Sequence, residues 1–473
     1  MTASTNTLLT RVNDVHSALN STQVRLLQPT SAQDVIAAVT LAVGSGCPIA
    51  VSGGRHAMGG QQFLSESFLL DMRGLNRILD LDTQRGLVRA EAGIQWPELI
   101  DGILRIQRDR APAQRPYWGI RQKQTGANAL TLGGALAANV HGRGLLMAPI
   151  VSDVESFVLV DAQARTLHCS RDENANLFAL AIGGYGLFGV LTEVTLRLSA
   201  RQNLRRVVRV VDIEEAVPAA RRRIGEGFVY GDFQFDIDPR SPDFLTKGVY
   251  AGYVPVAEEP PPPETQLALS REDWMNLLTL AHTDKARAFT RYAQHYLATD
   301  GQLYHSDTHQ LAEYIDDYHG ELDRRIGAAC PGSEIISELY VPPDRLIEFL
   351  RAAARLLIEC QTPVIYGTIR LINPDEETVL AWAKSRYACI IFNLHVDHNA
   401  ASMERTAMAF RGLIDLASGM GGSYYLTYHR FATVEQLERC YPRIREFFEA
   451  KRQFDPDELF QSDWYRHYRD LLN

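Results

Sequence analysis

The sequence predicts an α+β protein of two or three domains. Three observations carry that reading. The chain has 473 residues, more than a single hydrophobic core usually organises. Short apolar runs alternate with helix-like segments over the first 200 residues. Long segments with alternating faces then recur between residues 336 and 429.

In the first part, Ser31 is positioned to cap a helix reaching about Val43, with apolar residues at Val35, Ile36, Val39, Ala42 and Val43. Strands are expected at 48–51, 67–72 and 86–91, and a helix at 96–104. Further strands are expected at 154–160, 166–169 and 190–198, with a helix-like stretch at 176–181. The character changes near residues 200–205, where a first domain is expected to end. The run Glu258-Glu259-Pro260-Pro261-Pro262-Pro263-Glu264 reads as a stiff polyproline connection, and residues 268–330 as helical and charged. Four strands follow. Glu338 and Tyr340 share a face in 336–340; Tyr366, Thr368 and Arg370 share one in 364–372; Tyr387, Cys389, Asn393 and His395 share one in 387–397. In 424–429, Tyr428 and His429 point opposite ways. A face so rich in Tyr, Arg, Asn, Glu and His is either solvated or roofs a polar pocket.

Apolar residues make up 46% of the chain, charged residues 22%, and the net charge is −9, arguing against a surface built for nucleic acid or anionic membranes. No apolar run approaches the roughly 18 residues of a membrane span. The first twenty residues lack the basic-then-apolar pattern of a signal peptide. The six cysteines are scattered without a C-x-x-C pair, as expected of free thiols in a cytoplasmic protein.

Glycine-rich segments carry the chemistry. The first is Ser52-Gly53-Gly54-Arg55-His56-Ala57-Met58-Gly59-Gly60-Gln61, directly after an expected strand. Glycine lets backbone N–H groups approach a ligand closely, and converging N–H groups suit phosphate oxygens. The loop by itself fits a diphosphate cradle and an ordinary strand-to-loop turn equally well. The second segment runs over residues 125–144 and contains Gly126, Thr131, Gly133, Gly134, Ala137, Asn139, His141 and Gly142. It fits either a flat ligand or a close helix–sheet contact. The third, Gly183-Gly184-Tyr185-Gly186-Leu187-Phe188-Gly189, formally matches G-x-G-x-x-G. That fingerprint needs a strand before it and a helix after it. Here the order is reversed, so a nicotinamide site is rejected.

In this order and spacing, the three segments resemble the vanillyl-alcohol oxidase / p-cresol methylhydroxylase flavoprotein family. Gly54–Gln61 is similar to the loop of cytokinin dehydrogenases and alditol oxidases whose histidine bonds to the 8α-methyl of FAD. Leu132–Gly142 is similar to the second FAD segment of decaprenylphosphoryl-ribose oxidases and sugar-lactone oxidases. Phe188–Leu196 and the tail Phe454–Trp464 resemble the closing strand and the C-terminal return of the family. The resemblance implies a bipartite FAD-binding domain (residues 1–200), a substrate domain with a large antiparallel sheet (201–425) and a C-terminal segment returning to the flavin (426–473). It implies FAD linked covalently to His56. The cofactor would be held by Ser52, Gly53, Gly54, Arg55, Ala57, Met58, Gly59, Gln61, Gly126, Thr131, Gly133, Gly134, Ala137, Asn139, His141, Gly142, Gly189 and Val190. Arg55 and Arg143 read as cofactor contacts or as surface charges.

The activity implied is oxidation of a CH–OH group of a sugar, sugar derivative or polyol, with O₂ or another electron acceptor. Val140 leans towards a dehydrogenase and the covalent histidine towards an oxidase. Such chemistry needs a proton acceptor beside the flavin. The lysine of decaprenylphosphoryl-ribose oxidases is absent from Leu426-Thr427-Tyr428-His429-Arg430, and so is the H-W-x-K segment of alditol oxidases. Tyr428 and His429 are candidates for the role, followed by His395, Glu338 and Tyr340, with Arg370 orienting substrate or stabilising reduced flavin. In His395-Val396-Asp397-His398, His398 points away from the other two, so no metal site is expected. Two alternatives stand beside this reading: oxidation of an aromatic or alkaloid-like alcohol or amine, and flavin binding without turnover.

Overall fold

The structure is a computed structural model that describes residues 8–15, 18–110, 116–257, 262–263, 266–311, 315 and 317–473. Most of the expected polyproline connection lies outside the described residues.

Three main sheets organise the chain. A four-stranded sheet has the spatial order Thr10–Val12, Thr22–Leu27, Phe68–Asp71, Ile49–Ser52. Its last three strands are parallel. The helix Ala32–Ser45 packs on it, capped by Ser31, whose side chain accepts from the Asp34 N–H. A five-stranded antiparallel sheet follows in the order Ile78–Asp82, Leu87–Glu91, Val190–Arg197, Val154–Val160, Thr166–Ser170. The helix Trp96–Arg110 is longer than expected.

The third sheet is antiparallel and eight-stranded. Its order is Leu303–His305, Asn203–Asp212, Lys247–Pro255, Tyr230–Phe235, Val364–Ile372, Tyr387–Asp397, Gly332–Val341, Ser423–Tyr424. Three of these strands between 203 and 255 were not read from the sequence. Register decides which side chains meet. Arg370 and Tyr340 both pair with Cys389, Thr368 and Glu338 with Ile391, Tyr366 and Ile336 with Asn393, and Glu334 with His395. The polar-aromatic residues therefore form rows across three neighbouring strands. The helix Ala400–Gly419 packs against three of these strands, and the helices Arg271–Thr283 and Lys285–Ala298 contact the sheet as well.

The strand expected over 424–429 is a correction. Only Ser423–Tyr424 is extended. The chain then turns, because the Gln61 amide donates to Leu426 O and the Met58 N–H to Thr427 O, which ties this segment to the first glycine loop rather than to a neighbouring strand. The tail also returns there. Ile49 N–H donates to Leu459 O, Gln461 N–H to Ile49 O, and Trp464 N–H to Gly60 O.

Candidate active site

A cavity of about 460 Å³ runs between the glycine segments and the polar face of the large sheet. On the glycine side it is lined by Ser52, Gly53, Gly54, Arg55, His56, Ala57, Gln61, Gly126, Thr131, Gly133, Gly134, Ala137, Gly186 and Gly189. Glycine is required at the centre of this wall. A Cβ on Gly53 would stand 1.9 Å from Thr131 Oγ1, and one on Gly54 2.0 Å from Ala129 O. The two segments thus close on each other backbone to backbone. Thr131 caps the short helix Leu132–Ala138 by accepting from the Gly134 N–H. Arg55 holds φ +61°, a conformation uncommon for a residue with a side chain, and its guanidinium pairs with the buried Asp71 at 2.9 Å. It is a wall residue rather than a surface charge. Arg143 is only 11% exposed and lies over the Tyr253 ring at 4.7 Å.

The residues present fit FAD. The carboxylates lining the cavity among the described residues are Asp232 and Glu334, both on the sheet side. The glycine wall carries none, and small residues leave its backbone accessible to an anionic diphosphate. Several expected contacts stand elsewhere. Gln61 lines the cavity, but its amide bridges Leu426 O (2.7 Å) and the Gly59 N–H (2.9 Å). The Asn139 side chain donates to Asp375 (2.8 Å) and accepts from the Val151 N–H (3.2 Å). Both amides are engaged by protein. Met58 and Val190 are buried in apolar clusters, Gly59 backs onto Tyr428 O, and Gly142 onto Lys123 O.

The sheet side is organised around Glu338. This carboxylate is buried and receives four groups. His141 Nε2 lies 2.8 Å from Oε1, the Tyr340 hydroxyl donates to Oε1 at 2.5 Å, the Tyr428 hydroxyl donates to Oε2 at 3.1 Å, and Cys389 Sγ lies 3.4 Å from Oε1. Burial alone would raise the Glu338 carboxyl. Its pairing with His141, the Tyr340 hydrogen bond and the charge of Arg370 hold it below its ordinary value instead. Burial and that same carboxylate push the Tyr340 and Tyr428 phenols well above theirs. Tyr428 and Arg370 line the cavity. Tyr340 stacks on Trp382 with ring centroids 4.6 Å apart.

The other candidates separate. His429 stacks on Phe431, away from Glu338. His395 belongs to a second cluster at Glu334. There Glu334 Oε1 meets His395 Nδ1 at 3.2 Å and His282 Nε2 at 3.1 Å, while Oε2 meets His319 Nε2 at 2.8 Å and the Tyr318 hydroxyl at 2.6 Å. Sequence reasoning missed Glu334, which follows the alternation of Glu338 two steps back in a strand longer than expected. It also missed Lys123, whose ammonium is fully buried and donates to Gln124 O and Gln310 O at 2.6 and 3.1 Å. Burial and the charges of Arg143 and Arg370 lower that amine to about 7. A lone lysine in a polar stretch gives no sequence sign of this.

Two family models match the chain: an FAD binding domain over residues 25–170 and D-arabinono-1,4-lactone oxidase over residues 327–468. The decaprenylphosphoryl-β-D-ribose oxidase of Mycolicibacterium smegmatis is 22% identical over 84% of both chains. The L-gulono-1,4-lactone dehydrogenase of Mycobacterium tuberculosis is 23% identical over 93% of this chain and 95% of the relative. The mitochondrial L-galactono-1,4-lactone dehydrogenase of Arabidopsis thaliana is 31% identical over 152 residues, 32% of this chain and 23% of the relative. The chain thus spans about a quarter of that plant relative and most of the bacterial ones. Among the described residues, no helix is long and apolar enough to cross a membrane. With the glycine wall, the cavity and the polar sheet in place, the chain carries an FAD binding domain and is similar over most of its length to FAD-linked oxidases and dehydrogenases, with FAD as its cofactor.

Proposed function

We propose that this protein oxidises a CH–OH group of a sugar, sugar lactone or polyol, passing the electrons to O₂ or another acceptor. The observation that carries the reading is the buried Glu338 carboxylate receiving the cavity-lining Tyr428 hydroxyl. Bound FAD supplies the hydride acceptor. The chain's own residues handle the proton. Tyr428 stays protonated at neutral pH and donates to Glu338, so its oxygen lone pairs accept a hydrogen bond from a substrate hydroxyl. As the carbon loses hydride, the hydroxyl proton passes to Tyr428 Oη while the tyrosyl proton passes to Glu338. Arg370 faces the same space and stabilises the developing negative oxygen. His141 and Tyr340 orient the carboxylate from the side away from Tyr428.

The reading includes a covalent link at His56, which lines the cavity in the middle of the first glycine loop. Acid precipitation checks it: yellow colour in the pellet is expected, and colour wholly in the supernatant rejects the link. It also includes the division at about residues 200 and 425. A cytoplasmic location is supported by the six free cysteines. Anaerobic mixing with a panel of sugars, aldonolactones and polyols should bleach the flavin. Failure across that panel, with bleaching by phenolic alcohols, would favour an aromatic substrate. Trp274, Phe289 and Tyr292 in the cavity wall speak for that second reading.

A further inference from the structure

At the Glu334 end of the cavity, two imidazoles approach the same carboxylate oxygen from different elements. His282 comes from the helix Arg271–Thr283, and His395 from the strand paired in register with Glu334. The three ligand-type atoms, His282 Nε2, His395 Nδ1 and Glu334 Oε1, lie within 4.8 Å of one another. Their separations from the carboxylate oxygen are 3.1 and 3.2 Å. In a tetrahedral site with bonds of about 2.0–2.2 Å, ligand atoms stand roughly 3.3–3.5 Å apart, so the nitrogens need to part from this oxygen by only a few tenths of an ångström. The two rings stand perpendicular, at 88°, and do not block each other. His282 Nε2 has no hydrogen bond of good geometry among the described residues, although it sits beside a carboxylate oxygen.

The surroundings also fit a metal. A ligating carboxylate is itself hydrogen-bonded, and a ligating histidine directs its second nitrogen to a carboxylate or carbonyl. Glu334 Oε2 is held by His319 and the Tyr318 hydroxyl at 2.8 and 2.6 Å. His395 Nε2 faces Asp397 at 3.5 Å. The superficially similar trio at His141, Glu338 and Cys389 is closed to an ion, because His141 and Tyr340 already take the inner carboxylate oxygen.

We propose that His282, Glu334 and His395 bind one divalent transition-metal ion of the zinc class, with its open position towards the cavity that Glu334 lines. Two neutral nitrogens and one carboxylate are the ligand set that zinc accepts in open, three-residue sites. This reverses the sequence expectation of no metal. His395 is a ligand as that motif suggested, but its partners are His282 and Glu334 rather than His398.

Flavin-loaded, tag-free protein dialysed against chelator and titrated with Co²⁺ tests it without turnover. One equivalent should give d–d bands to the red of the flavin absorption, displaced by Zn²⁺. Glu334→Gln and His282→Gln should lose the bands, and Asp397→Asn, at a half-exposed position, should weaken binding about 10–100-fold. His398→Gln should leave the bands in place. Absence of the bands in folded wild-type protein, or bands unchanged in Asp397→Asn and in a flavin-retaining Glu334→Gln, would overturn the site. Flavin reduction by substrate is read separately, so failure here leaves the proposed oxidation untouched, and the reverse.

Discussion

Glu334 and Glu338 lie four residues apart on one face of one strand, both buried and both held ionised, yet they keep different company. Glu338 is surrounded by two phenols, one imidazole and a thiol. Glu334 is surrounded by three imidazoles and one phenol. Phenols pushed above their ordinary value do not titrate near neutrality, so the Glu338 group keeps a fixed proton inventory suited to passing a proton along a defined path. Imidazoles ligate metals and Glu334 shifts His395 upward from its ordinary value, so the Glu334 group is suited to responding to protons or cations. The backbone supplies the same position to each carboxylate; the packed neighbours decide its chemistry.

The largest expected effect separates the two directly. Glu338→Gln should slow anaerobic flavin reduction by about 10²–10⁴-fold, the usual size of a general acid–base contribution. Tyr428→Phe should fall in the same range. Rapid mixing measures both. If Glu334→Gln slows reduction as much as Glu338→Gln, the proposed division of roles is wrong.

A smaller effect concerns the wall opposite both carboxylates. Gly54→Ala drives a Cβ to 2.0 Å from Ala129 O. Overpacking of this kind costs roughly 1–3 kcal/mol, so lower flavin occupancy and a lower unfolding midpoint are expected. Gly44→Ala, where an added Cβ meets nothing within 4 Å, is the control.

The smallest effect is in pH dependence, and it sharpens the comparison in metal-free protein. Burial raises Glu334, but the imidazoles of His282, His319 and His395 beside it outweigh that and hold it well below 4.5. Glu338 is lowered too. Stability from either carboxylate is therefore present above about pH 4.5 and lost as pH falls. Burial lowers His395, but Glu334 outweighs it and the net shift is upward from 6.5. Its stabilisation is complete below about pH 6.5 and lost as pH rises through the folded value. The midpoint difference between wild type and His395→Gln should thus shrink from pH 6 to pH 9. The difference between wild type and Tyr340→Phe, at the other carboxylate, should stay level. A level His395→Gln difference would remove the neutral-range sensitivity assigned to the Glu334 group.

Much of this was legible in the sequence because it depends on local rules. Ser31 before an apolar helical period gave a capped helix. The strands at 364–372 and 387–397 matched the observed Val364–Ile372 and Tyr387–Asp397, since period-two alternation is set within a strand. The same alternation put Tyr366, Thr368 and Arg370 on one face of the first strand, and Tyr387, Cys389, Asn393 and His395 on one face of the second. It failed at 424–429, where long-range hydrogen bonds to Gln61 and Met58 override a strand-like pattern.

By itself, then, the sequence determined most element types outside residues 203–255, the glycine segments, and which residues of each strand share a face. Tertiary structure decided which of those residues meet. Register put Glu334 opposite His395, helix packing brought in His282 from over fifty residues upstream, and Asp375 took up the Asn139 amide. Periodicity fixes the direction of a side chain relative to its own backbone; its partners depend on how separate elements pack, and no local pattern encodes that.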